Sequence, residues 1–296
     1  MKKDLSVIIL SYNTKDLTKR CILTLLRCLR QSKDLASEVI VLDNASSDGS
    51  VKMLKHLQSK NKELKLILSK KNLGFAKGNN QALKIAQGKY ILFLNSDVII
   101  QNVNFRTLIN YLDKHSEIGV LTVNVVLPDG NIDPASHRGF PTLWNSLCYF
   151  SGLEKLSTYL PFFNKIFGGY HLVGLNLNSQ HEIDAPSGAF YLSKRKLLDQ
   201  MKGFDEAFFF YGEDIDLSFR IKKLGYKIIY YPVYKVLHLK RASGLEKRDR
   251  KIKNRTRYHF YDAMKIFYKK HYEKLYPTLL NRIVYLMIDK IKNQYA

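Results

Sequence analysis

Lys89-Tyr-Ile-Leu-Phe-Leu-Asn-Ser-Asp-Val-Ile-Ile100 decides how the rest of the chain is read. Tyr90 to Leu94 is an unbroken run of aromatic and branched residues, the pattern of a strand buried on both faces in the middle of a parallel sheet. The run stops at Asn95-Ser96-Asp97. A carboxylate at the carboxyl end of such a strand stands where open α/β sheets bind their ligands. A single Asp there suits a hard divalent cation that keeps several waters and takes its other oxygens from a substrate diphosphate. The same Asp also suits a turn or a helix cap, so the flanking chain has to decide.

Upstream, Leu5 to Leu10 is a buried strand that ends at Ser11-Tyr12-Asn13, and Glu38 to Leu42 is another that ends at Asp43-Asn44. Leu64 to Leu68 is a third, alternating strand. Between them lie helical stripes, first Leu17, Cys21, Leu25 and Leu29, then Val51, Leu54 and Leu57. This alternation predicts an α/β fold with a parallel sheet, helices on both faces and right-handed crossovers. Parallel packing brings the similar strand ends to one edge, and that edge reads as a nucleotide pocket. Asn72-Leu-Gly74-Phe75-Ala-Lys-Gly78-Asn79-Asn80 leads into a helix predicted from Gln81 to Ala86. It is neither Gly-x-Gly-x-x-Gly nor a phosphate-binding P-loop. Its glycines either bring backbone close to a ligand or belong to ordinary loop and cap chemistry.

The 296 residues are 46% hydrophobic, enough for one large α/β domain. No stretch approaches the roughly 18 apolar residues of a membrane span, and the start of the chain lacks the pattern of a secretory signal. Of three cysteines, Cys21 and Cys28 share a helix face and Cys148 stands alone; buried free thiols in a reducing cytosol are expected. Lys and Arg number 48 against 26 Asp and Glu, a net charge of +22. That balance favours nucleic acid, anionic lipid or polyphosphate partners, or else is a solvated face.

Downstream, Phe105 to Lys114 is a predicted helix and Gly119 to Val126 a strand. His137-Arg138-Gly-Phe-Pro141 and Trp144 open an aromatic stretch, up to about His181, with few clear caps. It either covers the pocket, meets an acceptor, or only packs. A turn from Ala185 leads into a strand ending at Leu192, and a helix follows from Lys194 to Met201. Phe208 to Tyr211 forms an aromatic wall before Gly212-Glu213-Asp214-Ile-Asp-Leu-Ser-Phe-Arg220. Acids in a first helical turn are favoured by the helix dipole. Two adjacent acids beside aromatics also make a partly desolvated site for a general base. Tyr226 to Tyr231 is a final strand before Pro232, and His238 is a metal ligand or a packed ring.

Taken in order, Ser11-Tyr12-Asn13, Asp43-Asn44-Ala-Ser-Ser-Asp48-Gly49, Asn72 to Asn80, Asn95-Ser96-Asp97 and Gly212 to Arg220 resemble the family 2 glycosyltransferases, most nearly the rhamnosyltransferase-like members that build bacterial surface polysaccharides. The resemblance covers about Leu5 to Gly244. It implies a GT-A fold, a Rossmann-like, mostly parallel sheet flanked by helices, over residues 1–240. Residues 1–100 would be the nucleotide-binding half, 101–240 the acceptor half, and 241–296 a basic helical extension. It implies an inverting transfer from a nucleotide-diphosphate sugar to a glycan or lipid-linked acceptor hydroxyl. Ser11, Tyr12, Asn13, Asp43 and Asn44 would hold base and ribose; Asn72, Gly74, Phe75, Gly78, Asn79, Ser96 and Asp97 would complete the donor site. Asp97 would bind Mg2+ or Mn2+, with His238 a further metal or phosphate contact; the first acid of the usual motif is Asn95 here. Asp214 would be the catalytic base, with Glu213 toward the acceptor; Trp144, from the aromatic stretch, is the other acceptor contact expected. His137 to Pro141 resembles a stretch of the rhamnosyltransferase-like members, so dTDP-L-rhamnose is the first donor expected, with a UDP-hexose as the alternative.

Two rivals stand apart. A sugar nucleotidyltransferase would need a basic glycine-rich loop after the first strand, which Ser11-Tyr-Asn-Thr14 does not provide. A nucleic-acid-binding protein would need aromatic and basic platforms on exposed sheet faces, but these strands read as buried. Past the sheet, Arg241, Lys247, Arg248, Arg250, Lys251 and Lys253 form a basic run. Leu279, Leu280, Ile283, Leu286, Met287 and Ile291 form an apolar stripe with Arg282, Lys290 and Lys292 opposite. Such a helix lies in a membrane interface or packs on the domain. With lipid-linked acceptors in view, a cytoplasmic protein, peripheral on an anionic inner membrane face, is expected.

Overall fold

The computed structural model describes residues 3–240 and 250–295. Of the basic run, Arg241, Lys247 and Arg248 lie outside the described residues. The first half alternates as expected: β1 (Lys3–Ser11), α1 (Lys15–Gln31), β2 (Ser37–Asp43), α2 (Ser50–Lys60), β3 (Leu64–Leu68), α3 (Phe75–Ile85), β4 (Gly88–Asn95) and β5 (Val98–Ile100). The second half holds α4 (Phe105–Lys114), β6 (Ile118–Val126), the short helices α5 (Leu143–Ser151), α6 (Leu153–Tyr159) and α7 (Asn164–Phe167), then β7 (His181–Ile183), β8 (Phe190–Lys194), α8 (Arg195–Met201), α9 (Glu213–Lys223) and β9 (Lys227–His238). Two helices close the chain, α10 (Arg250–His271) and α11 (Thr278–Lys292).

The strands run in the order β3-β2-β1-β4-β8-β6-β9-β5, with β7 paired to β9. Side chains alternate across a strand, so a strand buried on both faces feeds two cores. Tyr90, Leu92 and Leu94 enter a core with α1, α2 and α4, while Ile91 and Phe93 enter one with α3, α8 and α9. β1 and β2 divide in the same way, through Val7 and Ile9 against Ile8, and through Val39 and Val41 against Ile40. Each such side chain contributes about 1.5–3 kcal/mol of burial. From β1 the chain moves outward to β2 and β3, then returns to β4 on the other side of β1. The gap between the ends of β1 and β4 is therefore the switch point at which open α/β sheets bind ligands.

Three local features depart from simple alternation. β8 enters between β4 and β6 antiparallel to both, which puts its leading turn beside the end of β4. The last strand passes through Pro232 instead of stopping before it. Pro has no N–H for the ladder, and the register with β6 shifts there, from Val123↔Tyr231 to Asn124↔Lys235. α3 starts at Phe75, six residues earlier than the glycines suggested. Gly78 is a packing glycine inside that helix, where a Cβ would come within 2.6 Å of Leu10. Cys21, Cys28 and Cys148 are free and buried, as expected. No helix among the described residues is long and apolar enough to cross a membrane.

Candidate active site

Loops from the switch point form the first wall of one large cleft. Tyr12 and Asn13 line it after β1, Asn44 after β2, and Asn72, Gly74 and Phe75 at the start of α3. Asn13 adopts a left-handed backbone (φ 52°), and its Oδ1 accepts from Ser47 N at 2.7 Å. Asn44 braces the neighbouring loop: its Oδ1 accepts from Leu73 N at 2.8 Å, and its Nδ2 donates to Asn72 Oδ1 at 2.9 Å. Gly74 (φ +78°) has no alternative, since a Cβ would lie 2.5 Å from the Phe209 carbonyl oxygen. Ser11, Asp43, Gly78 and Asn79 sit behind this wall and do not line the cleft. Ser11 Oγ bonds Thr18 at 2.9 Å, and Asn79 Nδ2 donates to Phe75 O at 3.0 Å. Asp43 accepts from Ser46 N through Oδ1 at 2.9 Å, while its buried Oδ2 has no partner among the described residues.

Asp97 stands at the end of β4, and the short β5 behind it pairs with the end of β9 so that Val98 faces His238. This brings His238 Nε2 to 3.1 Å from Asp97 Oδ1. On the other side of the ring, Nδ1 donates to Asp133 Oδ2 at 2.7 Å. Lys240 Nζ donates to Asp133 Oδ1 at 2.7 Å. Burial opposes charge on His238, yet its bonds to Asp133 and Asp97 outweigh it and push the ring up to about 9. Burial likewise opposes charge on Asp133, but His238 and Lys240 hold its carboxyl far below the usual range. Sequence reasoning missed Asp133. Its only local signal is that of a cap before Pro134, and its partner lies 105 residues away.

The second acidic centre begins α9. Gly212 (φ +82°) turns the chain, and Glu213 and Asp214 occupy the first helical turn. Asp214 Oδ1 accepts from Ile215 N at 2.8 Å, and Oδ2 accepts from Arg138 Nη2 at 3.0 Å. Both ends of that ion pair are nearly closed off, with 11% of each side chain exposed. Arg138 also donates to Pro186 O at 3.3 Å, in the turn that the reversed β8 carries to this edge. Glu213 is buried, its Oε2 has no partner among the described residues, and burial together with the Asp214 charge pushes its carboxyl well above the usual range. Arg138 belongs to the stretch noted in the sequence but had not been given a part; its partner is 76 residues away.

Asp97, Asp133, His238, Arg138, Glu213 and Asp214 all line the one cleft. Trp144 does not. It is half-exposed on α5, donates to Ile166 O at 2.7 Å and packs against Phe167, while its neighbours Leu143 and Leu147 face the cleft. A polar wall at the switch point, an Asp-His pair backed by a second Asp, and a pair of acids with a compensating Arg thus share one space. Residues 6–170 match the family model for "Glycosyl transferase family 2". The chain belongs to that family. The expectation of nucleotide-sugar glycosyl transfer stands on this membership.

Among curated relatives, the chain is 27% identical over 241 residues to the rhamnosyltransferase WbbL of Escherichia coli (strain K12), covering 78% of this chain and 82% of that protein. It is 27% identical over 231 residues to the N-acetylglucosaminyl-diphospho-decaprenol L-rhamnosyltransferase of Mycobacterium tuberculosis, covering 72% and 71%. It is therefore rhamnosyltransferase-like. Among solved structures, the mannosyltransferase PcManGT of Pyrobaculum calidifontis, in complex with GDP-Man and Mn2+, superposes with a TM-score of 0.57 at 16% identity, over 98% of this chain and 70% of that one. Staphylococcus aureus TarS 1-349 gives 0.55 at 19% identity, over 89% and 64%. These likenesses bear out the GT-A fold.

Proposed function

We propose that this family member is an inverting, divalent-cation-dependent transferase that moves a sugar, first L-rhamnose from dTDP-L-rhamnose, to a hydroxyl of a lipid-linked acceptor. The observation that carries the proposal is that Asp97 with His238, and Asp214 with Arg138, line one cleft. Tyr12, Asn13, Asn44 and the 72–75 loop take the nucleoside. Asp43, directly behind that wall, keeps a buried Oδ2 without a partner among the described residues, and is the acceptor nearest in sequence to Asn44 for a base N–H that reaches past the wall.

Asp97 and His238 fit Mg2+ or Mn2+. Among the described residues no group of three or more His, Cys, Asp or Glu forms a ready-made cage. That suits a cation whose remaining ligands are substrate oxygens and water. Asp133 fixes Nδ1 of His238, so Nε2, on giving up the proton it now directs at Asp97, would be the nitrogen offered to the cation, the outer-shell arrangement usual at metal-bound imidazoles. When bound, the cation would neutralise charge on the departing diphosphate. Asp214 takes the proton of the acceptor hydroxyl. The acceptor oxygen forms its bond to the anomeric carbon from the far face, and the bond to the diphosphate breaks with its electron pair leaving on the nucleotide. Arg138 fixes the carboxylate during this step, and Glu213, beside it, orients acceptor hydroxyls.

Support for the donor comes from the two rhamnosyltransferase relatives, and the name of the second supports an acceptor on a polyprenyl diphosphate. A UDP-hexose is the second reading, favoured by a TarS structure in complex with UDP-GlcNAc. Residues 1–100 serve the donor, 101–240 the acceptor, and 241–296 form an extension that meets an anionic membrane at its cytoplasmic face. The test is a thermal-shift panel of nucleotide sugars with and without Mn2+, followed by transfer to a lipid-linked acceptor and determination of the product anomer. Stabilisation by dTDP-L-rhamnose and an inverted anomer are expected. Retention, or equal transfer in a chelator, would overturn the mechanism; preference for a UDP sugar would replace the donor.

A further inference from the structure

The cleft that holds both acidic centres extends beyond them. Its volume of about 1610 Å3 exceeds the roughly 300–1,000 Å3 of a pocket for one small molecule. One face of α10 lines it with graded polarity: Arg255, Thr256 and His259 come first, then Phe260, Met264 and Phe267. The polar part lies on the donor side, because His259 stacks on Phe209, whose carbonyl accepts from Phe75 N at 2.8 Å. The apolar part abuts the catalytic turn, since a Cβ at Gly212 would stand 3.2 Å from Ala263. Ile283, Met287 and Ile291, spaced four apart on one face of α11, continue the apolar wall. Leu147 and Phe150 of α5 add to it, and both stay half-exposed.

We propose that this apolar wall is the subsite for the isoprenoid chain of the lipid-linked acceptor. The proposal rests on the transferase reading and deepens it. The apolar wall begins directly beside the catalytic turn, so an acceptor sugar at Asp214 has Met264, Ile283, Met287 and Ile291 on the side away from Arg255 and the donor. A nucleotide sugar occupies only the polar part, and a free glycan would leave these faces in water, where apolar surface is unfavourable. α11 is on this account an enzyme wall as well as a surface helix: part of its stripe faces the cleft, while Leu279 and Leu286 stay outside the lining.

The test uses the full chain in non-ionic detergent with three probes: inorganic phosphate, farnesyl phosphate and a longer polyprenyl phosphate. Trp144, the single tryptophan, stands one turn before Leu147 and reports binding by its fluorescence. Affinity is expected to rise at least about tenfold from the farnesyl to the longer chain, because each added methylene buries apolar surface. Met287→Asp should abolish that gain while leaving the thermal shift by a nucleoside diphosphate with Mn2+ unchanged; Leu147→Asp is the second variant. Equal affinities for the two prenyl phosphates would overturn the proposal, as would a chain-length gain that survives both substitutions. A wild-type chain that shows the gain but no shift with any nucleotide sugar would support the subsite and overturn the transferase reading.

Discussion

Asp214→Asn removes the proposed proton acceptor with almost no change of volume. The Asn carbonyl still faces Arg138, so the contact at 3.0 Å becomes a hydrogen bond from a charge to a dipole. Deleting one partner of a buried ion pair costs about 3–5 kcal/mol. Asn keeps an acceptor, so the cost here should be nearer the roughly 1–3 kcal/mol of a weakened buried bond. For a chain of this size that lowers the melting temperature by several degrees, at about 2–4 °C per kcal/mol. Loss of general-base help should lower kcat by about 10²–10⁴-fold. Donor affinity should hold within about twofold, because Asp214 lies outside the nucleoside wall. The double variant Arg138→Met, Asp214→Asn then separates the two effects. It leaves no uncompensated buried charge, so it should recover stability, yet remain as slow as the single variant. Thermal melts, donor titration and single-turnover transfer measure all three quantities. A variant that loses donor affinity but keeps its transfer rate would refute the reasoning, and so would a double variant that regains activity along with stability.

Asp133→Asn leaves His238 without its carboxylate partner; cation affinity, read by Mn2+ titration of nucleotide-induced stabilisation, should fall about 10–100-fold with the fold intact. Asp216, buried in α9, accepts from Arg220, Lys270 and His271, which ties α10 to the catalytic helix. Burial opposes its charge, but His271, Arg220 and Lys270 prevail and bring its carboxyl from 3.8 down to about 2. A depressed carboxyl stabilises the fold above its unfolded pKa, and that stability is lost as pH falls from about 4 through about 2; the contribution is about 2 kcal/mol. Urea melts at pH 7 and pH 3 should show this loss, and Asp216→Asn should flatten it; an unchanged slope contradicts the assignment. Leu279 and Leu286, about 70% exposed on α11, should contribute to salt-sensitive binding of anionic vesicles, which the pair Leu279→Asp, Leu286→Asp weakens. Removing everything after Arg255 is the poorer test, because α10 supplies Ala263, Phe267 and Tyr268 to a core cluster with Phe208 and Ile215.

Which parts of this site are legible in sequence follows from how far each interaction reaches. β1, β2 and β4 declare themselves because burial on both faces demands an unbroken apolar run, and parallel pairing then fixes where Asn13, Asn44 and Asp97 must end up. Strand direction has no such signature. The reversed β8 is invisible locally, yet it carries the Ala185–Gly188 turn to the active edge and supplies Pro186 O to Arg138. Gly78 misled for a related reason: a glycine that lets Leu10 pack close has the same letter as one that bends a loop. Asp133 and Arg138 acquire their parts only through partners 105 and 76 residues away, and nothing within a helical turn of either one forecasts a buried ion pair. His238, ambiguous as a letter, becomes defined once β9 continues through Pro232 and delivers it opposite Val98. The residues that sequence pattern finds are those whose backbone position determines their neighbours. The ones it misses are held by side-chain bonds between distant segments: Asp133 holds the His238 ring that meets Asp97, and Arg138 holds Asp214, the two acids on which the chemistry depends.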